Sequence, residues 1–463
     1  MNSFNQAYKA WAQLATFRAN RLRYKNYTYG RQWEDPAEYQ GRIITEGERS
    51  LKMGRRPMTN NLIRRMVKSI VGRFRHRLIT DADNTRDKTE PSPGMAETAR
   101  RNMLDELDCR MLEEFLISGC AIQRVVNERR HGGTGVWVDN VDPDRFFCNA
   151  YSDPRGFDIE LIGQLHDMSL REAVARFAPE GGREAERVAS LLTSPCATGA
   201  GLRPGFFSGS DDKCRVIEVW TLEADSSLRC HDPEKGELFT LSETSAPRLR
   251  DFNLKRRQQS LREVKSRPVT TLTWQCRWYA PDGTLLMSRP SPYPHRSHPF
   301  VVKHYPMTAG ETHSPVEDVI DQQRYINRII TLIDHIMSAS AKGVLLFPVD
   351  QKPENLSWEQ IAERWANPAG LLPYVPSLTG NAPQQIINNS RPENAYSLLE
   401  LELKLMDQVS GVNGALDGRT PETATSAALY GDQTENATIA LLDVFAAFDS
   451  FRSRRDAMIA SFG

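Results

Sequence analysis

The chain has 463 residues, 40% hydrophobic and 25% charged, which is too long for one compact core and too ordinary in composition for wholesale disorder or a collagen-like repeat. At roughly 150 residues per domain, two to four units are expected. Lys plus Arg and Asp plus Glu are 59 each, so no net charge draws the whole molecule to DNA or anionic lipid, and any electrostatic argument must be local.

A helix is predicted from Phe4 to about Leu22, where Tyr8, Trp11, Leu14, Ala15 and Phe17 fall near helical spacing, followed by YKNYTYGRQW and a break rich in Gly and Arg. From Thr59 to His76, Leu62, Ile63, Met66, Val67, Ile70, Val71 and Phe74 make one apolar helical stripe, with Arg64, Arg65, Lys68, Arg75 and Arg77 on other faces. TDADNTRDKTEPSPGM reads as a linker or exposed loop, and another helix is expected from about Ala96 to Leu116. Then the period drops to two. AIQRVVNERR and TGVWVDNVDP, around HGG, predict a hairpin, and the following stretch predicts a loop, a strand and a short helix started by Ser169. The Gly-, Ser- and Pro-rich stretch 179–212 is expected to be a flexible insertion. Beyond it come the strand CRVIEVWTLEAD, a strand pair turning at Pro281, Asp282 and Gly283, and PFVVKHYPM.

The last third returns to helix. From Val316 to Ala341 the polar residues Arg324, Asn327, Arg328, Thr331, Asp334, His335 and Ser338 form a narrow stripe, and bulky residues including Ile326, Ile329, Ile330, Ile333 and Met337 fill the remaining circumference. Such a helix must be covered on several sides, either as a buried central helix or between neighbouring copies in a ring. A small α/β module follows: a strand VLLFPV, a helix from Ser357 with capping-box spacing to Gln360, then LLPYVPSL and QQIINN. Its Trp358, Trp365 and Tyr374 are either a docking surface or its own core. A helix from Pro392 to about Val409 is broken by Gly411, Gly414 and Gly418, and a final helix is predicted from about Ala427 to Phe462.

Catalytic signatures are missing: there is no GxxxxGK[ST], GxSxG or HExxH, and HGGTG reads as a hairpin turn. His295, His298, His304 and His313 read as a strand-flanking loop in preference to a zinc site, and the pairs Asp142/Asp144 and Glu400/Glu402 as solvated surface. No enzyme activity, cofactor or metal is predicted. Cys109, Cys120, Cys148, Cys196, Cys214, Cys230 and Cys276 contain no CxxC and read as reduced thiols. No apolar run approaches the roughly 18 residues that cross a bilayer, and the polar amino terminus lacks a signal peptide's apolar segment, so a cytosolic setting without membrane contact is expected. Charge is segregated: residues 55–77 hold about eight Arg or Lys and no acid, while residues 393–449 hold about ten acids against Lys404 and Arg419. Each run is either a solvated face or a contact, the basic one for nucleic acid or an acidic partner.

Several of these segments, in this order, resemble the portal proteins of tailed bacteriophages, especially of short-tailed and related phages. YTYGRQW before GRRPMTNNLIRRMVKSIVG is similar to the family's opening, and ISGCAIQRVVNE with VDPDRFFCNAYSDPRGFD to its strands and Asp-Pro loop. VEDVIDQQRYINRIITLIDHIMSASAKG resembles the helix, with an Asp-Gln pair and a following Asn, that enters the portal stem. The resemblance implies an α+β, portal-like fold: a mixed α/β wing over 1–315, a first stem helix over 316–342, a clip over 343–390, a second stem helix over 391–412, a tunnel loop over 413–426 and a C-terminal wing or crown helix over 427–463. The crown is expected to be short, or to lie beyond Gly463. The loop around Gly201 and the segment 251–267 find no counterpart in the pattern.

The same resemblance implies a homo-oligomeric ring of about twelve subunits at one capsid vertex of the virion, assembled in the host cytoplasm. It would pass double-stranded DNA without sequence preference during packaging and ejection, and bind the terminase large subunit, a tail adaptor, capsid protein and scaffold. Ile326, Ile329, Ile330, Ile333 and Met337 would pack the stem, Trp358, Trp365 and Tyr374 would dock partners through the clip, and Asn413, Asp417, Arg419 and Thr420 would face the duplex. Acids along a channel repel the phosphate backbone and prevent sticking, while a ring of single arginines still guides it. The alternatives are another ring-forming head-to-tail connector component and a DNA-processing enzyme.

Overall fold

The amino-terminal apolar pattern folds as two helices where the sequence predicts one: α1 (Ser3–Gln13), started by the Asn2 side chain accepting from the Phe4 N–H, and α2 (Ala15–Thr28), which continues through YKNYT. The break read as Gly- and Arg-rich contains a hairpin, β1 (Pro36–Tyr39) with β2 (Arg42–Thr45), and α3 (Glu46–Lys52), opened by a capping box between Thr45 and Glu48. Helix α4 (Leu62–Thr85) buries Ile63, Met66, Val67, Ile70 and Phe74 as its stripe requires, and extends through TDADNT, the first part of the expected loop. The next expected helix is also two, α5 (Pro93–Asn102) and α6 (Leu104–Ser118), divided at Met103, whose φ of 49° is left-handed. Gly119 ends α6 at φ 69°, where a Cβ would come within 2.8 Å of the His313 and Tyr305 carbonyl oxygens, so glycine is required on both counts.

Strands β3 (Cys120–Arg130) and β4 (Gly133–Asn140) form the predicted hairpin, followed by β5 (Phe146–Cys148), β6 (Leu161–Met168) and α7 (Leu170–Phe177), whose Glu172 N–H donates to Ser169 Oγ at 3.2 Å. Part of the expected flexible insertion is helix α8 (Gly182–Thr193), held by the burial of Val188 and Leu192 at four-residue spacing, a periodicity masked by its Gly- and Ser-rich flanks. Then follow β7 (Cys214–Asp232), β8 (Glu237–Ser242), α9 (Ala246–Gln258), β9 (Lys265–Tyr279), β10 (Leu285–Pro290), β11 (Phe300–His304), and the short pair β12 (Met307–Thr308) and β13 (Glu311–Thr312). The carboxy-terminal third holds α10 (Ile320–Lys342), β14 (Val344–Leu346), α11 (Trp358–Ala366), β15 (Gln384–Ile386), α12 (Glu393–Ser410) and α13 (Leu442–Ala460). The chain is therefore α+β.

This computed structural model describes residues 2–462 apart from 86–92, 131–132, 194–204, 208–212, 243–244, 309, 343, 367–370, 377–381, 387–392, 413–438 and 440. Two units are formed: Met1–Arg21 with Phe74–Ser314 and Leu442–Gly463, and Leu22–Arg73 with Pro315–Leu441. The first unit is built on a six-stranded antiparallel sheet in the order β10-β9-β7-β6-β5, with β8 also on β7, and a three-stranded sheet β11-β3-β4. One core cluster takes Ile122, Val126, Phe300 and Val302 from the smaller sheet and Ile162, Trp220, Cys276 and Trp278 from the larger. Helix α1 adds Phe4, Ala7 and Ala10 to a second cluster with Phe147, Leu165 and Ile217, and α13 sets Phe448 edge to face against Phe74 and tilted against Phe115, with ring centroids 5.4 and 5.7 Å apart.

Charge is buried here only in pairs. Asp108 is fully buried and accepts from Arg452 Nε at 2.8 Å and from Arg455, itself almost fully buried. Arg21 lies buried among Glu114 at 2.6 Å, Asp142 at 3.1 Å and Asp144 at 2.7 Å, so the two aspartates read as plain solvated surface serve as its counter-ions. Breaking such a pair by removing one partner costs about 3–5 kcal/mol, because the other charge is left dry.

The histidines of the strand-flanking segment are structural. His295 Nδ1 accepts from the Ser297 N–H at 3.1 Å and His298 Nδ1 from the Phe300 N–H at 3.3 Å, while His304 stacks on Phe17. Burial pushes the His298 imidazole down to about 3, helped by His295 and Arg454, and burial alone pushes His304 down to about 4. Both are neutral in the fold and gain a proton near pH 6.5 once unfolded, so their stabilisation is complete above about 6.5 and is lost as pH falls toward 4. We expect unfolding free energy to fall over this window by up to about 1.4 kcal/mol per pH unit for each histidine. Denaturant titration of wild type against His304→Gln at several pH values checks this, and the variant should show the shallower dependence.

Candidate functional site

The second unit is organised by a polar ladder on α10. Gln323, Asn327 and Thr331 stand at four-residue spacing and so share one face of the helix; all three are buried. The extended chain that leads into α4 lies along them. Gln323 Oε1 accepts from the Leu62 N–H at 2.8 Å and the Ile63 N–H at 3.2 Å, and its Nε2 donates to the Asn60 carbonyl at 2.6 Å. Asn327 Oδ1 accepts from the Asn60 N–H at 3.1 Å, and Thr331 Oγ1 from the Met58 N–H at 3.2 Å. Asn327 Nδ2 donates to Gln32 Oε1, and Gln32 Nε2 to the Tyr27 carbonyl at 3.2 Å. Asn61 accepts from the Arg64 N–H at 3.0 Å and donates to the Thr28 carbonyl at 2.9 Å. Beside the ladder, Arg324 and Arg328 converge on the buried carboxylate of Glu46.

Of the polar stripe on α10, Asn327 and Thr331 join Gln323 in this buried seam, while Arg328 and Asp334 are exposed. Ile326, Ile329 and Ile333 are buried within the unit, Ile330 is half-buried, and Met337 and Tyr325 are 53% and 42% exposed. Helix α12, which packs on α10, buries only Met406 and leaves Leu401, Leu405 and Val409 exposed at four-residue spacing, with Tyr396 also exposed. Its Glu400 is exposed and its Glu402 half-buried.

The small module between them has β14 paired antiparallel with β15, Val344 opposite Ile386, and α11 opened by the expected reciprocal bonds, Gln360 N–H to Ser357 Oγ at 3.1 Å and Ser357 N–H to Gln360 Oε1 at 3.0 Å. Its buried residues, among those described, are Gln351, Pro353, Leu356 and Ile361. Trp358 meets Phe347 edge to face at 6.0 Å yet stays 45% exposed, Tyr374 is equally exposed, and Trp365 is half-buried. Leu371 is 87% exposed and Val349 79%. The structure therefore does not gather the three aromatic residues into one core.

Of the basic run, Arg75 pairs with Glu106 at 2.8 Å and Arg77 with Asp449 at 2.7 Å, so part of its charge is neutralised within the fold. In the first unit a cleft of about 1190 Å³ is lined by Arg124, Arg130, His166, Asp167 and Arg176 among others. Arg130 is taken up by Asp139 at 2.5 Å and Glu128 at 2.7 Å, and Arg124 and His166 by the buried Glu218. Burial opposes the ionised form of Glu218, but Arg124, His166 and Trp220 outweigh it and hold its carboxyl well below the usual range. Such mutually paired charges stiffen the wall of the cleft. Among the described residues no three His, Cys, Asp or Glu side chains converge as a metal site, and no helix is long and apolar enough to cross a membrane. Asn413, Asp417, Arg419 and Thr420 lie outside the described residues.

A family model described as phage P22-like portal protein matches residues 1–458. The chain belongs to the P22-like phage portal family. No match emerges among curated proteins. Membership of this structural family supports a head-to-tail connector role. In this portal-family chain, the ladder joins the very segments that carry the sequence resemblance: YGRQW supplies Gln32, TNNL supplies Asn60 and Asn61, and DQQRYIN supplies Gln323 and Asn327. The sequence shows these motifs but not that they bond to one another. The signal that could have found it is the i, i+4, i+8 run of amide and hydroxyl side chains inside an apolar helix, which cannot be buried without partners.

Gln323→Leu keeps volume but removes the acceptor of the Leu62 and Ile63 N–H groups and the donor to the Asn60 carbonyl and Asn327 Oδ1. The Leu62 N–H keeps the Asn60 carbonyl at 3.2 Å, and each group that stays dry costs about 1–3 kcal/mol. We expect a loss on the order of 3 kcal/mol in denaturant unfolding and faster proteolytic cleavage between Met53 and Asn61, whereas Gln322→Leu, one position around the helix, should change neither by as much.

Proposed function

We propose that the chain forms a closed ring, of about twelve copies, that serves as the DNA channel at one capsid vertex. In this reading α10 and α12 are the stem, residues 343–390 the clip, and residues 413–426 the tunnel loop. The observation that carries it is the ridge of Leu401, Leu405 and Val409 on α12, exposed at four-residue spacing, with Val349, Leu371, Val375 and Ile386 exposed in the small module. An exposed apolar ridge along a helix is costly in water and is the mark of an interface. A second copy of the same chain covers it in a ring, where each subunit meets a neighbour on either side. Terminase and a tail adaptor would dock in turn on the clip, Trp358 and Tyr374 presenting half-exposed rings of the kind enriched at interfaces. Acidic α12 and the acid-rich stretch after it would keep the duplex from adhering, and Arg419, repeated once per copy, would form a collar on its phosphates.

Mass measurement and negative-stain imaging of the purified chain test the ring. A closed ring is expected for wild type, and a monomer with unchanged helical content for Leu405→Asp, since a carboxylate in a desolvated apolar contact costs several kcal/mol per subunit. A wild-type monomer at micromolar concentration, or a Leu405→Asp variant that closes the ring as well as wild type, would contradict the stem assignment.

A further inference from the structure

The stretch from the outer half of β7 to the start of β9 folds as a lobe within the first unit. Ser227–Asp232 of β7 pairs with β8 on one side and with Lys265–Val269 of β9 on the other. Helix α9 packs back on these strands: Cys230, Leu249 and Val264 form a small core with Leu228, Phe239 and Leu241 around it. Buried Arg256 pairs with Asp232 at 2.9 Å, which fixes the rotation of α9 about its axis. With Leu249 and Arg256 facing inward, one flank of the helix presents Arg248, Phe252 and Lys255, and the other Arg250, Leu254 and Arg257. All six are exposed.

Of the four flanking cations, Arg257 alone has an ion-pair partner among the described residues, the exposed Glu263 at 3.3 Å. The strands repeat the pattern. Arg229 stands directly opposite Arg267 in the β7–β9 register, and His231 opposite Lys265, all four exposed. The like charges of Arg229 and Arg267, directly opposite one another, destabilise the sheet. Between Arg248 and Arg267 the chain has eight Arg or Lys against Asp251 and Glu263. Among the described residues the other exposed carboxylates of the lobe are Asp225, Glu234 and Glu237, and Glu234 is engaged by the Arg262 N–H at 3.1 Å. The fold therefore gives up stability to hold these cations outward.

We propose that this lobe binds double-stranded DNA through its phosphates, with the two flanks of α9 as the principal contact. The cations are mostly arginine, whose planar fork matches phosphate oxygens better than an ammonium does. The flanks stand about 10 Å apart, a helix diameter, close to the ~12 Å width of the major groove, so each can reach the phosphates of one strand. Phe252 and Leu254 give apolar contact to the sugars between them. The outward line between the flanks carries Asp251 and Gln258, too little for base readout, so binding follows charge and not sequence. This site is separate from the proposed channel and does not depend on it.

The test is fluorescence anisotropy of a labelled random-sequence duplex of about 30 base pairs with the full chain, at roughly 50 to 200 mM salt. Neutralising Arg248, Arg250, Lys255 and Arg257 to Gln should weaken binding at least about tenfold at low salt and reduce the slope of log affinity against log salt by roughly two to four. If the fourfold variant fails to fold by circular dichroism, the double variants Arg248→Gln/Lys255→Gln and Arg250→Gln/Arg257→Gln carry the same test with half the slope change. Wild-type affinity and slope in the neutralised variants would overturn the proposal. So would preference of the lobe for a poly-glutamate peptide over the duplex, which would make its ligand an acidic protein.

Discussion

Backbone N–H groups at the start of a helix have no partner inside it, and where the helix begins beneath other chain they cannot turn to water. In the second unit this constraint is met from outside: Gln323 on α10 accepts the first two N–H groups of α4 and returns a donor to the Asn60 carbonyl. Asn327 and Thr331 repeat the arrangement one and two turns further on, so the extended residues from Met58 to Leu62 are held at a fixed height along α10. Because the ladder has the period of the helix, it sets the axial register of α10 against the segment entering α4, and apolar packing of Ile326, Ile329 and Ile333 then fills the remaining space. Apolar contacts alone would not choose among registers that differ by a turn. Directional bonds do, since a slipped register leaves buried donors unpaired.

The first unit solves burial differently. Its sheets bring Arg124, His166 and Glu218 together across strands, and its helices bring Asp108 to Arg452 and Arg455, and Arg21 to Glu114, Asp142 and Asp144. Each cluster is a long-range contact between segments far apart in sequence. Ion pairs of this kind add little net stability over an apolar core, but they penalise any arrangement that separates them. A unit built this way presents a fixed framework from which the α9 lobe projects its cations.

Much of the fold was legible where one element satisfies itself. The β3–β4 hairpin, the Ser169 and Ser357 caps, the turn at Pro281 to Gly283 and the extent of α10 and α12 follow from local period and capping. Legibility failed where a tertiary contact decides. Met103 breaks an otherwise continuous helical pattern by adopting a left-handed backbone, and α8 and α9 are short helices whose buried positions, Val188 and Leu192 or Leu249 and Arg256, make sense only against strands. The site was legible as a set of motifs but not as a geometry. The residues chosen for stem packing were the isoleucines, whereas Gln323 was passed over because a glutamine next to another glutamine reads as surface until its partners are known.

Hydrogen exchange at individual amides tests the ladder most directly. Residues 58–61 follow Pro57 as a short extended run outside any strand and lead into the first turn of α4, so the amides from Met58 to Ile63 would exchange at loop rates if α10 did not hold them. The account predicts that the amides of Met58, Asn60, Leu62 and Ile63 in the wild-type chain are protected to the same degree as the interior amides of α10. Exchange of those four amides at the rate of an open loop, with α10 itself protected, would contradict it.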